Sequence, residues 1–304
     1  MTSWLQLPRL AYRKVFRRDI YNVGVVDAPI HRFLEPGWRP EIQWLPEQQR
    51  PGTFIADPFG VVYGGREYVF CEYFDYREPG GRIVGGEVEG CEVGPLKDAI
   101  VASGHVSYPF VFTHGGQVLC IPETSRANEL ALFRMEAFPG RWKKERVLLQ
   151  ADAVDASIVE YEGRWWLFYS LRRSRGTELF VSYADSPCGP WFAHRKGPVK
   201  KDPGSSRPGG TPFVYMGKLY RPAQDCSEVY GRRVAINEVC ALSSSEFEER
   251  VVRVVEPDKN GPYPDGLHTL SAFGEKTLVD GKKEQFIRAA LVRSAQNLLR
   301  GGSE

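Results

Sequence analysis

Apolar and aromatic residues fall in short runs along this chain, broken by Gly, Pro and Asp, and the same run returns at intervals. Asp57-Pro58-Phe59-Gly60-Val61-Val62-Tyr63-Gly64-Gly65-Arg66-Glu67-Tyr68 reappears as Tyr108-Pro109-Phe110-Val111-Phe112-Thr113-His114-Gly115-Gly116-Gln117. A third copy is Asp155-Ala156-Ser157-Ile158-Val159-Glu160-Tyr161-Glu162-Gly163-Arg164-Trp165-Trp166, and a fourth is Pro212-Phe213-Val214-Tyr215-Met216-Gly217-Lys218-Leu219-Tyr220. Each copy predicts a strand, a tight glycine turn and a second strand. The spacings are 51 residues from Gly65 to Gly116, 47 to Gly163 and 54 to Gly217. A weaker fifth unit runs from His268-Thr269-Leu270-Ser271-Ala272-Phe273 to Asp280-Gly281-Lys282, with Gly281 expected at the turn. One small sheet cannot bury both of its faces alone, so strand repeats of this length predict sheets packed around an axis. The expectation is an all-β, five-bladed β-propeller over residues 21–290, with outer strands at Leu130–Arg134 and Leu179–Tyr183.

The ends of the chain read differently. Residues 1–20 form a basic segment in which Leu7 to Arg18 predicts a short amphipathic helix, packed on the propeller or resting weakly on an anionic membrane surface. Residues 291–304 read as a tail.

Composition narrows the setting. The 40 basic and 38 acidic residues leave a net charge of +2, which gives no support to a nucleic-acid partner. No apolar run is long enough to span a bilayer, and the N-terminus lacks a secretory core. Six cysteines at 71, 91, 120, 188, 226 and 240 contain no CxxC pair. Cys71 and Cys120 occupy nearly matching places inside apolar strands, so buried reduced thiols in a cytoplasmic protein are expected rather than disulfides or zinc ligands.

Aligning the repeats exposes what varies. The position opening the first strand holds Asp57, Tyr108, Asp155 and Thr211, and the position ending the next strand holds Glu72, Glu123, Ser170 and Gln224. A propeller gathers such positions around one axis. Carboxyl groups sharing one funnel can supply the proton donor and the base or nucleophile that glycosidic chemistry needs. His105 and His268 fall at the same end of their blades as Asp57, and Arg172, Arg207 and Arg232 are candidate receptors for phosphate or carboxylate. No Walker loop, GxSxG elbow, HExxH or GxGxxG is present, and Gly80-Gly81 reads as a turn.

Together, Asp57-Pro58-Phe59, His105-Val106-Ser107-Tyr108-Pro109, Pro122-Glu123, Val154-Asp155-Ala156-Ser157, Gly209-Gly210-Thr211-Pro212-Phe213, Arg221-Pro222-Ala223-Gln224-Asp225-Cys226 and Tyr230-Gly231-Arg232-Arg233 carry a family resemblance. The chain resembles, over about residues 20–290, the N-terminal propeller domain of plant glucosamine inositolphosphorylceramide transferases, a domain also found in bacterial proteins. The resemblance implies the fold and a carbohydrate setting; the plant activity involves a separate glycosyltransferase domain. More distantly the layout is similar to five-bladed family 43 glycoside hydrolases. There, an Asp opening blade one is the base, an Asp opening blade three adjusts pKa, and a Glu opening blade four is the acid. Asp57 and Asp155 match the first two, but Thr211 stands in the third place, leaving Glu123 or Asp225 to substitute from another blade, or a reaction that needs only one carboxyl group.

The resulting expectation is an enzyme acting on a glycosidic bond by transfer, phosphorolysis or hydrolysis. Its substrate would be a sugar, a nucleotide-sugar or a sugar-phosphate. Asp57 is assigned as base, Glu123 as acid and Asp155 as the residue that orients a hydroxyl. His105, Tyr108, Arg172, Arg207, Gln224, Asp225, Tyr230, Arg232 and His268 are assigned to substrate binding, and no metal or cofactor is expected. The competing expectation is a non-catalytic glycan- or partner-binding propeller.

Overall fold

The computed structural model describes residues 17–286 apart from 49, 103, 125 and 126. Strands β1 (Arg17–Val26) and β2 (Gln43–Trp44) come first and are used last. Blade one contains β3 (Thr53–Tyr63), β4 (Arg66–Asp75) and β5 (Arg82–Glu89), with β6 (Glu92–Val93) and β7 (Lys97–Ile100) both paired to β5. Blade two is β8 (Ser107–His114), β9 (Gln117–Glu123), β10 (Leu130–Ala137) and β11 (Arg141–Leu149). Blade three is β12 (Ala153–Tyr161), β13 (Arg164–Leu171), β14 (Glu178–Ala184) and β15 (Phe192–Lys201). Blade four is β16 (Phe213–Tyr215), β17 (Lys218–Asp225), β18 (Arg233–Leu242) and β19 (Phe247–Val255). Blade five starts with β20 (Leu270–Phe273) and β21 (Lys276–Phe286) and is completed by β1 and β2, in the order β20-β21-β1-β2. The protein is a five-bladed β-propeller.

The repeated glycines make the hairpins. Gly64-Gly65, Gly115-Gly116, Glu162-Gly163 and Met216-Gly217 all take positive φ between 49° and 74°, the backbone that a two-residue type I′ turn requires. In blade five the hairpin turn falls at Gly274-Glu275, with positive φ at Gly274 alone (56°), and not at the expected Gly281. Gly281 lies inside β21, where a Cβ would stand 2.4 Å from Trp44 Cη2. The residue reads as a turn glycine in sequence but serves close packing against β2.

The core lies between blades. Trp166 and Phe168 of blade three meet Leu219, Val239 and Phe247 of blade four, and Val23, Leu278 and Phe273 of blade five meet Ile55 and Val69 of blade one. Cys71 and Cys120 are fully buried, and all six cysteines are free.

The ring closes through β1, which pairs antiparallel with β21 from Arg17↔Phe286 to Val26↔Thr277. Residues 17–20 are therefore strand and not the end of a helix, because their backbone groups complete blade five. The rest of the expected basic helix, with its membrane contact over residues 7–18, falls mainly outside the described residues, as does the 291–304 tail. Among the described residues no helix is long and apolar enough to cross a membrane.

Candidate active site

The first strand of each of the first three blades is interrupted where it opens. Register shifts fall between Ala56 and Phe59, Ser107 and Phe110, and Val154 and Ser157. At each irregularity one residue takes a left-handed backbone: Asp57 (φ 51°), Tyr108 (φ 46°) and Asp155 (φ 52°). Non-glycine residues held there cost of order 1–3 kcal/mol each. A bulge at this place re-aims a side chain. Both aspartates thereby reach one cavity of about 320 Å³, which is also lined by Glu72, His105, Ser107, Glu123, Arg172, Arg207 and Tyr230. Glu72 and Glu123 arrive from β4 and β9, paired across from Ala56 and Ser107 at the same end of their blades.

Four carboxylates thus converge from three blades, each in a different environment. Asp57 is 5% exposed; Thr269 Oγ1 donates to its Oδ1 at 2.9 Å, and its backbone N–H donates to Asp280 Oδ2 at 3.2 Å. Burial pushes its carboxyl up to about 6, against the opposing charge of His268. Burial, reinforced by the neighbouring Asp57 and Glu123 carboxylates, holds Glu72 well above the usual carboxylate range. Glu72 Oε1 lies 3.6 Å from His105 Nδ1, which accepts the Gly81 N–H at 2.9 Å. Gly80 and Gly81 are more than turn residues: a Cβ on Gly81 would stand 2.3 Å from Glu72 Oε1, and one on Gly80 would stand 2.8 Å from His105 Cα. Glu123 Oε1 accepts from Arg172 Nη2 at 3.2 Å. Asp155 Oδ2 accepts from Arg207 Nε and from Gln224 Nε2, the latter at 2.6 Å. The Arg207 guanidinium also lies over the Tyr230 ring at 5.0 Å.

Seven of the twelve expected residues therefore share the cavity: Asp57, His105, Glu123, Asp155, Arg172, Arg207 and Tyr230. The other five do not line it. Gln224 lies behind Asp155 and orients it. His268 lies beneath Asp57, with Nε2 3.6 Å from Asp57 Oδ1. Tyr108 is fully buried at the axis, where its hydroxyl bonds Ser157 Oγ at 2.9 Å and accepts the Gly210 N–H at 2.7 Å. Its bulge delivers it to the floor instead of to a ligand. Asp225 is taken by Arg233 Nε at 2.6 Å and by Ser227, and Arg232 pairs with Glu228 at 2.7 Å. Both are committed to local ion pairs.

Blade four opens on Thr211 and not on an acid, and the residue before it is a glycine for a packing reason. Gly210 bridges to Leu270 of blade five, and a Cβ there would stand 1.9 Å from the Leu270 carbonyl oxygen. Its backbone occupies the space a side chain would need.

Two further acids belong to this cluster beyond the expected residues. Glu72 lines the cavity from the place in blade one that Glu123 holds in blade two. Asp280 was hidden by the misplaced fifth turn: with Gly274 as the turn, Lys282 continues the Glu72–Glu123–Ser170–Gln224 series, and Asp280 lies two residues before it. Asp280 is fully buried and lies 2.5 Å from His268 Nδ1. Asp57, His268 and Asp280 bring metal-ligand-type atoms within 4.8 Å of one another, a grouping no spacing in the sequence reveals. Direct contacts among the three, together with Thr269, already engage these atoms.

A family profile described as the N-terminal part of glucosamine inositolphosphorylceramide transferase 1 matches residues 43–266. The chain belongs to this family. It is 36% identical over 222 residues to glucosamine inositolphosphorylceramide transferase 1 of Oryza sativa subsp. indica, covering 69% of this chain and 30% of that protein. It is 37% identical over 209 residues to the Arabidopsis thaliana protein of the same name, covering 66% and 27%. The chain thus spans under a third of the curated relatives it matches. Among solved structures, this chain's propeller resembles Zg3597, a family 117 glycoside hydrolase of Zobellia galactanivorans, with TM-score 0.55, 13% identity and coverage of 88% of this chain and 91% of that one. It likewise resembles a GH43_1 enzyme from Xanthomonas citri, with TM-score 0.55, 12% identity and coverage of 78% and 89%. At such identities the likeness concerns the fold.

Proposed function

We propose that the funnel of this propeller binds a sugar and acts on a glycosidic bond. One observation carries the reading: Asp57, Glu72, Glu123 and Asp155 share a single cavity with Arg172 and Arg207. Asp57, poised near neutrality, is the base. Glu72 takes the acid role that the sequence assigned to Glu123, because burial favours its protonated form while Glu123 is engaged by Arg172. Asp155, fixed by Arg207 and Gln224, orients a sugar hydroxyl. Arg172 is 44% exposed and serves the phosphate of a sugar-phosphate or nucleotide-sugar. The excess of carboxylates over guanidinium groups suits an amino sugar, and the name of the relatives makes glucosamine derivatives the first to test. Six free thiols support a reducing, cytoplasmic setting.

The test compares wild type with Asp57→Asn and Glu72→Gln on activated glucosaminides and nucleotide-glucosamines. Turnover should fall by 10²-fold or more in each variant, as expected when an acid–base group is lost, while calorimetric affinity stays within a few-fold. Loss of affinity without a separate effect on turnover would defeat the assignment of roles. A second reading, a non-catalytic glycan-binding domain, draws on blade four, where Thr211 stands at the position that holds an aspartate in blades one and three. Saturable sugar binding by a wild-type protein that turns over none of the donors would favour it.

A further inference from the structure

Beneath the cavity floor, Asp57 rests on a second layer of ionisable groups that the proposed chemistry does not itself require. His268 is 2% exposed. It stacks on Tyr21 at 4.6 Å and 19°, and Tyr230 meets it edge-on at 5.2 Å and 88°. Its Nδ1 lies 2.5 Å from Asp280 Oδ2 and its Nε2 lies 3.6 Å from Asp57 Oδ1. Asp280 is itself fixed, since its Oδ1 accepts the backbone N–H of His268 at 2.9 Å and of Thr269 at 3.0 Å. The ring cannot turn without losing both its stack and this carboxylate.

The groups facing the imidazole come from several elements: Asp57 on β3, Asp280 on β21, Tyr21 on β1, Tyr230 before β18, and Asp155 on β12. Three are carboxyls and two are neutral phenols. Two buried carboxylates this close repel strongly at low dielectric unless a positive charge stands between them. The geometry points to His268 as a fixed imidazolium, clamped by Asp280, whose charge keeps Asp57 ionised for its work at the cavity. His268 and Asp280 are then positioning residues, since neither lines the cavity. The directions of titration agree. Burial drives His268 down, but Asp280 and Asp57 outweigh it and the net shift is upward. Burial drives Asp57 up, and His268 is its largest opposing influence.

This inference rests on Asp57 acting as the base, so the experiment separates the two. In uniformly labelled wild-type protein, the ring nitrogens of His268 are observed by NMR at pH 7, and the Asp57 carboxyl carbon is followed with pH, assigned through Asp57→Asn. Both His268 nitrogens should carry protons. In His268→Gln the Asp57 midpoint should rise by one pH unit or more, a tenfold loss of ionised Asp57 at any pH well below the midpoint. Any measurable kcat/KM should shift its acid limb upward to match, with KM little changed. A neutral, single-tautomer His268 in wild type, or an unmoved Asp57 midpoint in folded His268→Gln, overturns the clamp. The wild-type measurement decides the matter if the variant does not fold. If wild type shows the imidazolium but no turnover with any donor, the glycosidic reading fails and the clamp stands.

Discussion

At the residue scale, the cavity concentrates groups that the fold holds against their preferences. Asp57 has a left-handed backbone and a buried carboxyl whose midpoint is raised from 3.8 to about 6. A raised acid favours the protonated form on folding, so this contribution to stability is present at low pH and is lost as pH rises through the folded midpoint. Asn has nothing to ionise and tolerates the left-handed region. Asp57→Asn should therefore be more stable than wild type by about 1–3 kcal/mol above pH 7, with the difference shrinking below pH 5. Urea unfolding at pH 4.5 and 7.5 checks this. Equal stability at both pH values would mean that Asp57 carries no ionisation strain. Asp280 runs the other way: burial would raise it, but His268 and the backbone N–H groups hold it low. Its contribution persists at neutral pH and is lost only in strong acid. Which acids line the cavity was partly legible in sequence, because Asp57, Glu123 and Asp155 sit at aligned positions. Asp225 and Arg232 misled because a local ion pair and a ligand site look alike until partners such as Arg233 and Glu228 are seen.

At the element scale, the hairpin is what the sequence makes plain. Its two-residue turn demands positive φ in a short window, so four blades declare themselves through Gly65, Gly116, Gly163 and Gly217. Blade five does not, because its sequence holds one glycine at the turn and another at a packing contact. These two kinds of glycine should respond differently to substitution. Gly281→Val places a branched side chain where Trp44 Cη2 and Tyr263 Cβ lie 2.4 and 2.7 Å from an added Cβ. It should destabilise by about 1–3 kcal/mol through overpacking. Gly116→Ala meets nothing within 4 Å and carries only the strain of φ 74°, about 1 kcal/mol. Thermal melts of both variants rank the two causes, and a greater loss in Gly116→Ala would contradict the packing role of Gly281. The bulges that aim Asp57 and Asp155 left no sequence signal beyond the residues themselves, since a register shift is a relation between two strands.

At the scale of the whole molecule, two features hold the ring: the Gly210 crossing at the axis and the pairing of β1 with β21. Gly210 has φ 133° and packs against the Leu270 carbonyl, and its backbone also bonds Tyr108 of blade two and Ser157 of blade three. Gly210→Ala should therefore cost about 3 kcal/mol or more, with loss of cooperative unfolding in calorimetry as the four blades lose their common joint. A melting temperature within a degree or two of wild type would refute that role. Closure by β1 was illegible in sequence for a simple reason: no local pattern names a partner more than 200 residues away. That closure also reaches the chemistry, because Tyr21 on β1 is the ring stacked against His268. The two residues lie 247 positions apart, roughly 12–50 s of translation at ordinary rates. The stack on Tyr21 therefore needs both ends of the ring, β1 from the start of the described chain and β21 from its last blade. The proposed clamp on Asp57 is thus tied to ring closure, since Tyr21 and Asp280 stand beside His268 on the two strands whose pairing closes the ring.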